Sequence, residues 1–190
     1  MRMFNSKNYW ENRYKSGGSS GSGSYGNDAI KKAEYINDII SKYNVKSVND
    51  YGHGDCNQLS HMKKVVSYTG YDVSGGARNK CISMFTDDNK YKFIDDVSKF
   101  KKADLALSLD VVYHLVEDDV YHNYLDNLFS MSDIVLIYST DKDSSAGSAS
   151  HVRHRNFTSY IKTHFANFSL KDKSPILRDE ISMYLYTKRK

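Results

Sequence analysis

The stretch that most restricts this chain is Ser47 to Leu59, Ser-Val-Asn-Asp-Tyr-Gly-His-Gly-Asp-Cys-Asn-Gln-Leu. A β-prone run led by Val48 ends at Asp50-Tyr51, breaks at Gly52 and Gly54, and passes into a helix-compatible segment. A strand turning this tightly into a helix sets backbone N–H groups and the positive helix end at the strand's carboxyl edge. A ligand can approach there because glycine carries no Cβ. Asp50, closing the strand, adds a negative charge for a cationic or hydroxyl-bearing ligand. Such a turn becomes a site only if other strands bring matching groups to the same edge.

The rest of the chain supplies those strands. Phe4 to Tyr14 is aromatic and charged and reads as a short helix or arm with one anchoring face. The Gly/Ser run from Lys15 to Gly26 reads either as a flexible linker or as a lid over a ligand site. Asn27 or Asp28 is suited to cap a helix whose core stripe is Ile30, Ala33, Ile36, Ile39, Ile40 and Tyr43. After the glycine turn, the pattern predicts a short helix over 57–64 and a strand over 65–71 closed by Asp72. A helix over 75–85 and a strand over 91–94 ending in Asp95-Asp96 follow. Residues 104–109 form an apolar run suited to a central parallel strand, followed by Asp110. A helix over 117–129 and a strand over 134–138 come next, then a Ser/Asp loop and the basic run His151-Val152-Arg153-His154-Arg155. A helix over 157–165 and strands over 168–170 and 181–187 close the chain. Strands alternating with helices predict an α/β, doubly wound, mostly parallel sheet with helices on both faces. One domain over 1–190 is expected, with 1–26 as arm and lid and 27–190 as core.

Composition removes several classes. No apolar run approaches the roughly 20 residues of a membrane span, and the polar N-terminus is unlike a signal peptide, so a cytoplasmic protein with no membrane partner is expected. In that compartment Cys56 and Cys81 are expected as reduced thiols. A net charge of +4 favours acidic partners but falls short of an obligate nucleic-acid binder. One proline, sixteen tyrosines and many Lys and Asn suggest an AT-rich genome, that of a phage, virus or low-GC bacterium. If the source is viral, the compartment is the host cytoplasm.

Acidic residues close four strands in turn: Asp50, Asp72, Asp95-Asp96 and Asp110. In an open α/β sheet the ligand lies across those carboxyl ends. Asp72 stands about twenty residues beyond the glycine turn, the spacing at which a carboxylate reaches ribose hydroxyls. A dinucleotide pattern would need glycine at position 57, where Asn57 stands. A cofactor with one ribose and no diphosphate fits better.

Asp50-Tyr51-Gly52-His53-Gly54-Asp55-Cys56 resembles the first motif of class I S-adenosylmethionine-dependent methyltransferases, with Cys56 where the last glycine is usual. Thr69 to Ser74 resembles the second motif, Phe93 to Asp96 the third, and Ala103 to His114 the fourth. The resemblance also takes in Tyr9-Trp10-Glu11-Asn12-Arg13-Tyr14 and implies a Rossmann-like fold with an antiparallel last strand. It implies that Asp50, Gly52 and Gly54 hold the methionine part of S-adenosylmethionine, with Arg13 or Tyr14 on its carboxylate. Asp72, with Val73 beside it, would take the ribose hydroxyls. Asp95 or Asp96 with the Val97 N–H would read the adenine, and Asp110 would line the sulfonium end.

The acceptor side is less determined. His114, after the fourth strand, is the first candidate for a base, with Asp110, His151 and His154 as further catalytic candidates. Tyr113, Arg153 and Arg155 are candidates for binding the acceptor, since Arg forks suit phosphate or carboxylate. No metal is expected: His151 and His154 have ligand spacing without further ligands. His53 reads as structural or exposed. Asp110-Val111-Val112-Tyr113 differs from the Asp/Asn-Pro-Pro-aromatic motif of base-amine methylation, which argues against sequence-specific DNA. The expected activity is methyl transfer to a small or terminal acceptor: O-methylation of a saccharide, a nucleotide-linked or another acidic molecule, phosphate-bearing ones included. RNA is the alternative acceptor, through a Lys-Asp-Lys-Glu set of the ribose 2′-O type assembled from Lys15, Asp110, Lys142 and Glu180. A non-catalytic S-adenosylmethionine-binding subunit is the other alternative. No residue pattern sets an oligomeric state.

Overall fold

The computed structural model describes residues 4–144, 146–175, 177–178 and 180–189. Strand β1 (Ser47–Tyr51) lies inside the sheet, parallel to β2 (Ser67–Tyr71) on one side and to β4 (Leu105–Leu109) on the other. Beyond them lie β3 (Tyr91–Ile94) and β5 (Ile134–Ser139), both parallel to their neighbours. Strand β7 (Ser182–Lys188) inserts antiparallel between β5 and β6 (Phe168–Lys173), giving the order β3-β2-β1-β4-β5-β7-β6. The expected doubly wound sheet, mostly parallel with an antiparallel last strand, is the one that forms.

Side-chain parity along β4 shows how the two faces fill. Leu105, Leu107 and Leu109 point to one core, shared with Ala33, Ile36, Ile39 and Ile40 of α2 (Gly26–Lys42). Ala106 points to the other, shared with Tyr121, Tyr124, Leu125 and Leu128 of α5 (Asp118–Ser130) and Ile161 of α6 (Phe157–His164). Each leucine so enclosed contributes about 1.5–3 kcal/mol. No helix among the described residues is long and apolar enough to cross a membrane.

Three expectations change. The helix α2 starts at Gly26 after Tyr25, rather than being capped by Asn27 or Asp28. Its inward stripe is Ala29, Lys32, Ala33, Ile36, Ile39 and Ile40, and Ile30 is 43% exposed. The first turn is rotated because a charged side chain, Lys32, takes the inward place. The segment after the glycine turn is shorter than predicted: α3 covers only Asn57–Ser60, and β2 begins at Ser67. Finally, Cys56 and Cys81 are not free thiols but bonded to each other, with Cα atoms 5.6 Å apart. Cys81 sits on the buried face of α4 (Gly75–Met84), and the left-handed backbone of Cys56 turns toward it. The remaining helix, α1 (Ser6–Lys15), realises the predicted arm.

Candidate functional site

The chain runs outward from β1 to β2 and β3, then crosses back to β4. That reversal leaves a crevice at the carboxyl ends of β1 and β4. A cavity of about 450 Å³ occupies it, lined among others by Asp50, Gly52, Gly54, Asp72, Asp110 and His114. Val73 and Tyr14 also face it.

The glycine turn is shaped by close approach. Gly52 has φ 98°, and a Cβ there would lie 2.5 Å from Cγ2 of Val111. Gly54 has φ 60°, and its N–H donates to Asp72 Oδ2 at 2.9 Å, tying the turn to the end of β2. Cys56, where the family pattern has a third glycine, takes the left-handed conformation glycine would take, at φ 62°.

Three buried polar atoms here have no hydrogen-bond partner among the described residues: Asp50 Oδ1, Gln58 Oε1 and His53 Nε2. Such groups are costly to leave unpaired. Asp50 and Gln58 both line the cavity, so their free oxygens suit a ligand with donors, such as an ammonium. The other Asp50 oxygen accepts from Tyr68 at 2.8 Å. Burial pushes the Asp50 carboxyl up to about 6. Asp72 Oδ1 accepts from Ser74 N–H at 2.9 Å. Both Asp72 oxygens keep a further lone pair for hydroxyls.

A roof covers this floor. Ser6, at the start of α1, bonds Glu117, which caps α5, and Glu11 accepts from Gly75 N–H at 2.9 Å, at the start of α4. The Gly/Ser segment then folds down onto the turn. Ser20 Oγ is 2.9 Å from the Tyr14 hydroxyl and 2.8 Å from Asp55 Oδ1, and Tyr25 donates to Asp55 Oδ2 at 2.5 Å. Burial alone would raise the Asp55 carboxyl, but hydrogen bonds from Tyr25, Ser20 and Asn57 hold it below the usual range. Burial and the charge of Asp72 push the Tyr14 phenol far above its ordinary value.

On the acceptor side, Asp110 takes a left-handed backbone at φ 61°, receives Lys32 Nζ at 2.5 Å and the Tyr113 hydroxyl at 2.6 Å. Lys32 is 1% exposed. Tyr113 also lines a second pocket with Lys142 and Glu180, which are ion-paired. Lys15, by contrast, is exposed at the end of α1, so Lys32 and not Lys15 stands beside Asp110. His114 faces the main cavity with Nδ1 2.9 Å from the His151 carbonyl. Burial pushes it down to about 4, so the ring is neutral at physiological pH.

Several sequence candidates lie away from the cavity lining. Arg13 donates to the Ser19 carbonyl at 2.6 Å, holding the lid rather than facing the cavity. Asp95 pairs with Lys99, while Asp96 accepts from Ser98 N–H at 2.8 Å and caps the turn Val97–Lys99. His151 stacks on Tyr9 at 4.5 Å, and His154 Nδ1 is 2.6 Å from Thr140 Oγ1. Arg153 and Arg155 both bond the Val116 carbonyl and Asp118, and Arg155 lies 4.4 Å over the Tyr121 ring. They brace the segment leading into α5. His53 is structural, buried beside the cysteine pair.

No protein-family model and no curated protein matches the sequence. Solved structures do match. An N-methyltransferase NodS from Bradyrhizobium japonicum WM9, in complex with S-adenosyl-L-homocysteine, is 13% identical with a TM-score of 0.69, over 98% of this chain and 99% of that one. The methyltransferase domain of a bacterial Hen1 is 16% identical with a TM-score of 0.69, over 85% of this chain and 98% of that one. An rRNA methylase from Escherichia coli is 17% identical with a TM-score of 0.60, over 97% of this chain and 76% of that one. The fold is that of class I S-adenosylmethionine-dependent methyltransferases.

Proposed function

We propose that this chain, with its class I methyltransferase fold, is a single-domain S-adenosylmethionine-dependent O-methyltransferase whose residues 4–26 roof the site. When bound, the cofactor supplies an electrophilic methyl group on a sulfonium. The unpaired oxygens of Asp50 and Gln58 fit the methionyl ammonium, Asp72 the ribose hydroxyls, and the turn at Gly52 and Gly54 the close backbone approach.

The observation that carries the reading is the Lys32–Asp110 pair beside the cavity wall. Methyl transfer to a hydroxyl needs the oxygen held in line with the methyl carbon and its proton removed. Asp110, which lines the cavity, is the carboxylate placed to accept from the hydroxyl, while Lys32 and Tyr113, donating to its two oxygens, fix its direction. His114, neutral and anchored through Nδ1, offers Nε2 as an acceptor that orients the same hydroxyl.

Lys32 and Asp110, with Lys142 and Glu180 in a second pocket lined by Tyr113, would supply the residue types of the Lys-Asp-Lys-Glu set of ribose 2′-O-methylation. A ribose 2′-hydroxyl of RNA is therefore the acceptor supported best. A saccharide or nucleotide-linked hydroxyl is the second reading, favoured by a net charge of only +4. The test begins with calorimetry using S-adenosylmethionine and S-adenosylhomocysteine, for wild type and Asp72→Ala. Radiolabelled methyl transfer is then offered capped and uncapped RNA, 2′-O-methylated RNA and nucleotide sugars. Label entering unmodified RNA alone supports the ribose reading, and label in nucleotide sugars alone moves it to the second. Absence of binding by wild type, or binding indifferent to Asp72→Ala, overturns the cofactor assignment.

A further inference from the structure

The bonded Cys56–Cys81 pair lies directly beneath the cofactor turn. Cys56 begins α3 at the end of that turn, and Cys81 belongs to α4, which starts just beyond Asp72. Both are fully buried. The Gly54 carbonyl is shared between them and the turn: it is 2.8 Å from His53 Nδ1 and 3.4 Å from Cys81 Sγ. His53 Nδ1 is in turn 3.3 Å from Cys81 Sγ and 3.7 Å from Cys56 Sγ. On its other side, the Gly54 N–H holds Asp72. One residue, Gly54, thus connects the sulfur pair through its carbonyl to the carboxylate proposed for the ribose through its N–H.

We propose that Cys56 and Cys81 are a reversible redox site, closed by a small disulfide of the glutathione class, whose bonded state sets the cofactor turn for binding. A thiolate of the pair attacks one sulfur of glutathione disulfide, forming a mixed disulfide and releasing one glutathione thiolate. The second protein thiolate displaces the other glutathione. The protein loses two protons and two electrons, which glutathione disulfide takes up to become two glutathione thiols. In the reduced state a Cys81 thiol donates to His53 Nδ1 or to the Gly54 carbonyl. In the bonded state no S–H remains, and the His53 Nδ1–H donates to Gly54 instead.

Reduction also releases Cys56 from its left-handed backbone, which a non-glycine residue holds at a cost. The turn then relaxes and the cradle at Gly54 loosens. Both sulfurs are fully buried, so the exchange needs a local opening around the pair.

This inference rests on the cofactor reading for its effect on affinity, but not for the chemistry of the pair. The full chain is treated with glutathione disulfide or with a phosphine reductant, then compared by intact mass, thermal melting and calorimetry with S-adenosylhomocysteine. Cys56→Ser/Cys81→Ser serves as the form unable to close. The oxidised chain is expected to lose the mass of two hydrogens, melt higher, and bind at least about fivefold tighter than the reduced chain. The double variant should match the reduced chain under both treatments. An unchanged mass after oxidation, equal affinities of the two forms, or a reduced chain carrying one tightly bound zinc on His53 and the two thiolates overturns the proposal. If neither form binds the ligand, the cofactor reading fails, and mass and melting still decide whether the pair closes.

Discussion

Lys32 Nζ lies 2.5 Å from Asp110 Oδ2, with the two side chains 1% and 10% exposed. The ammonium also sits 4.8 Å over the Tyr138 ring. A lysine so enclosed is costly unless paired, and a merely structural site would be served as well by an apolar side chain. Lys32→Met leaves the Asp110 carboxylate unheld and is expected to lower kcat by about 10²-fold, with S-adenosylhomocysteine affinity nearly unchanged. Removing one partner strands the buried Asp110 charge, at about 3–5 kcal/mol. Lys32→Met/Asp110→Asn should therefore recover the melting temperature and not the rate. Recovery of both, measured by methyl transfer and calorimetric melting, would make the pair structural.

Asp50 gives a pH dependence of known sign. Its carboxyl is pushed up to about 6 by burial, opposed by Tyr68 and nearby His53. A ligand ammonium pairs only with the ionised form, so below that value binding must first expel a proton. The affinity for S-adenosylhomocysteine is expected to be flat above pH 7 and about tenfold weaker at pH 5. Asp50→Asn should bind more weakly with no such slope. His114, held at about 4, does not titrate in this range. A slope that persists in Asp50→Asn would assign the titration to another group.

Much of this was legible in the sequence because strand ends carry local signals. Asp50, Asp72 and Asp110 were read from their places after apolar runs, and all three meet at the cavity. Lys32 and Asp55 were not, for a physical reason. Lys32 became a site residue only through a turn of α2 that buries it against a residue 78 positions away. Asp55 matters only through contacts with Ser20 and Tyr25, which no periodicity encodes. The Gly/Ser run was ambiguous since its order comes from those same distant partners. Arg153 and Arg155 misled in the opposite sense: their forks suit a phosphate, but carbonyls of their own chain take them.

Asp55 latches the roof, so its loss should free the lid without unfolding the core. Asp55→Asn replaces an acceptor of hydrogen bonds from Ser20 and Tyr25 by a neutral amide. Amide exchange at Ser20 and its neighbours is expected to accelerate about 10–100-fold, equivalent to about 1–3 kcal/mol of lost hydrogen bonding. Exchange in β1 and β4 should stay as it is. Because the Asp55 carboxyl is held below the usual range, the wild-type lid keeps its protection down through pH 5. Hydrogen exchange read by mass spectrometry distinguishes local release from global unfolding.

Gly52→Ala tests the floor of the cavity. At φ 98° an alanine is strained by about 1–3 kcal/mol. Its Cβ would also lie 2.5 Å from Val111 Cγ2, adding an overpacking cost of about 1–3 kcal/mol. The melting temperature should fall by several degrees, at about 2–4 °C per kcal/mol for a domain of this size. The two costs have different remedies. Val111→Ala in the same chain removes the contact and leaves the φ strain, so Gly52→Ala should cost less in the Val111→Ala background than in wild type, though not nothing. If Gly52→Ala costs as much in the Val111→Ala background as in wild type, the contact contributes nothing and the strain lies wholly in the backbone. Val111 belongs to the segment that carries Asp110, so the same double variant should also recover part of the cofactor affinity that Gly52→Ala loses.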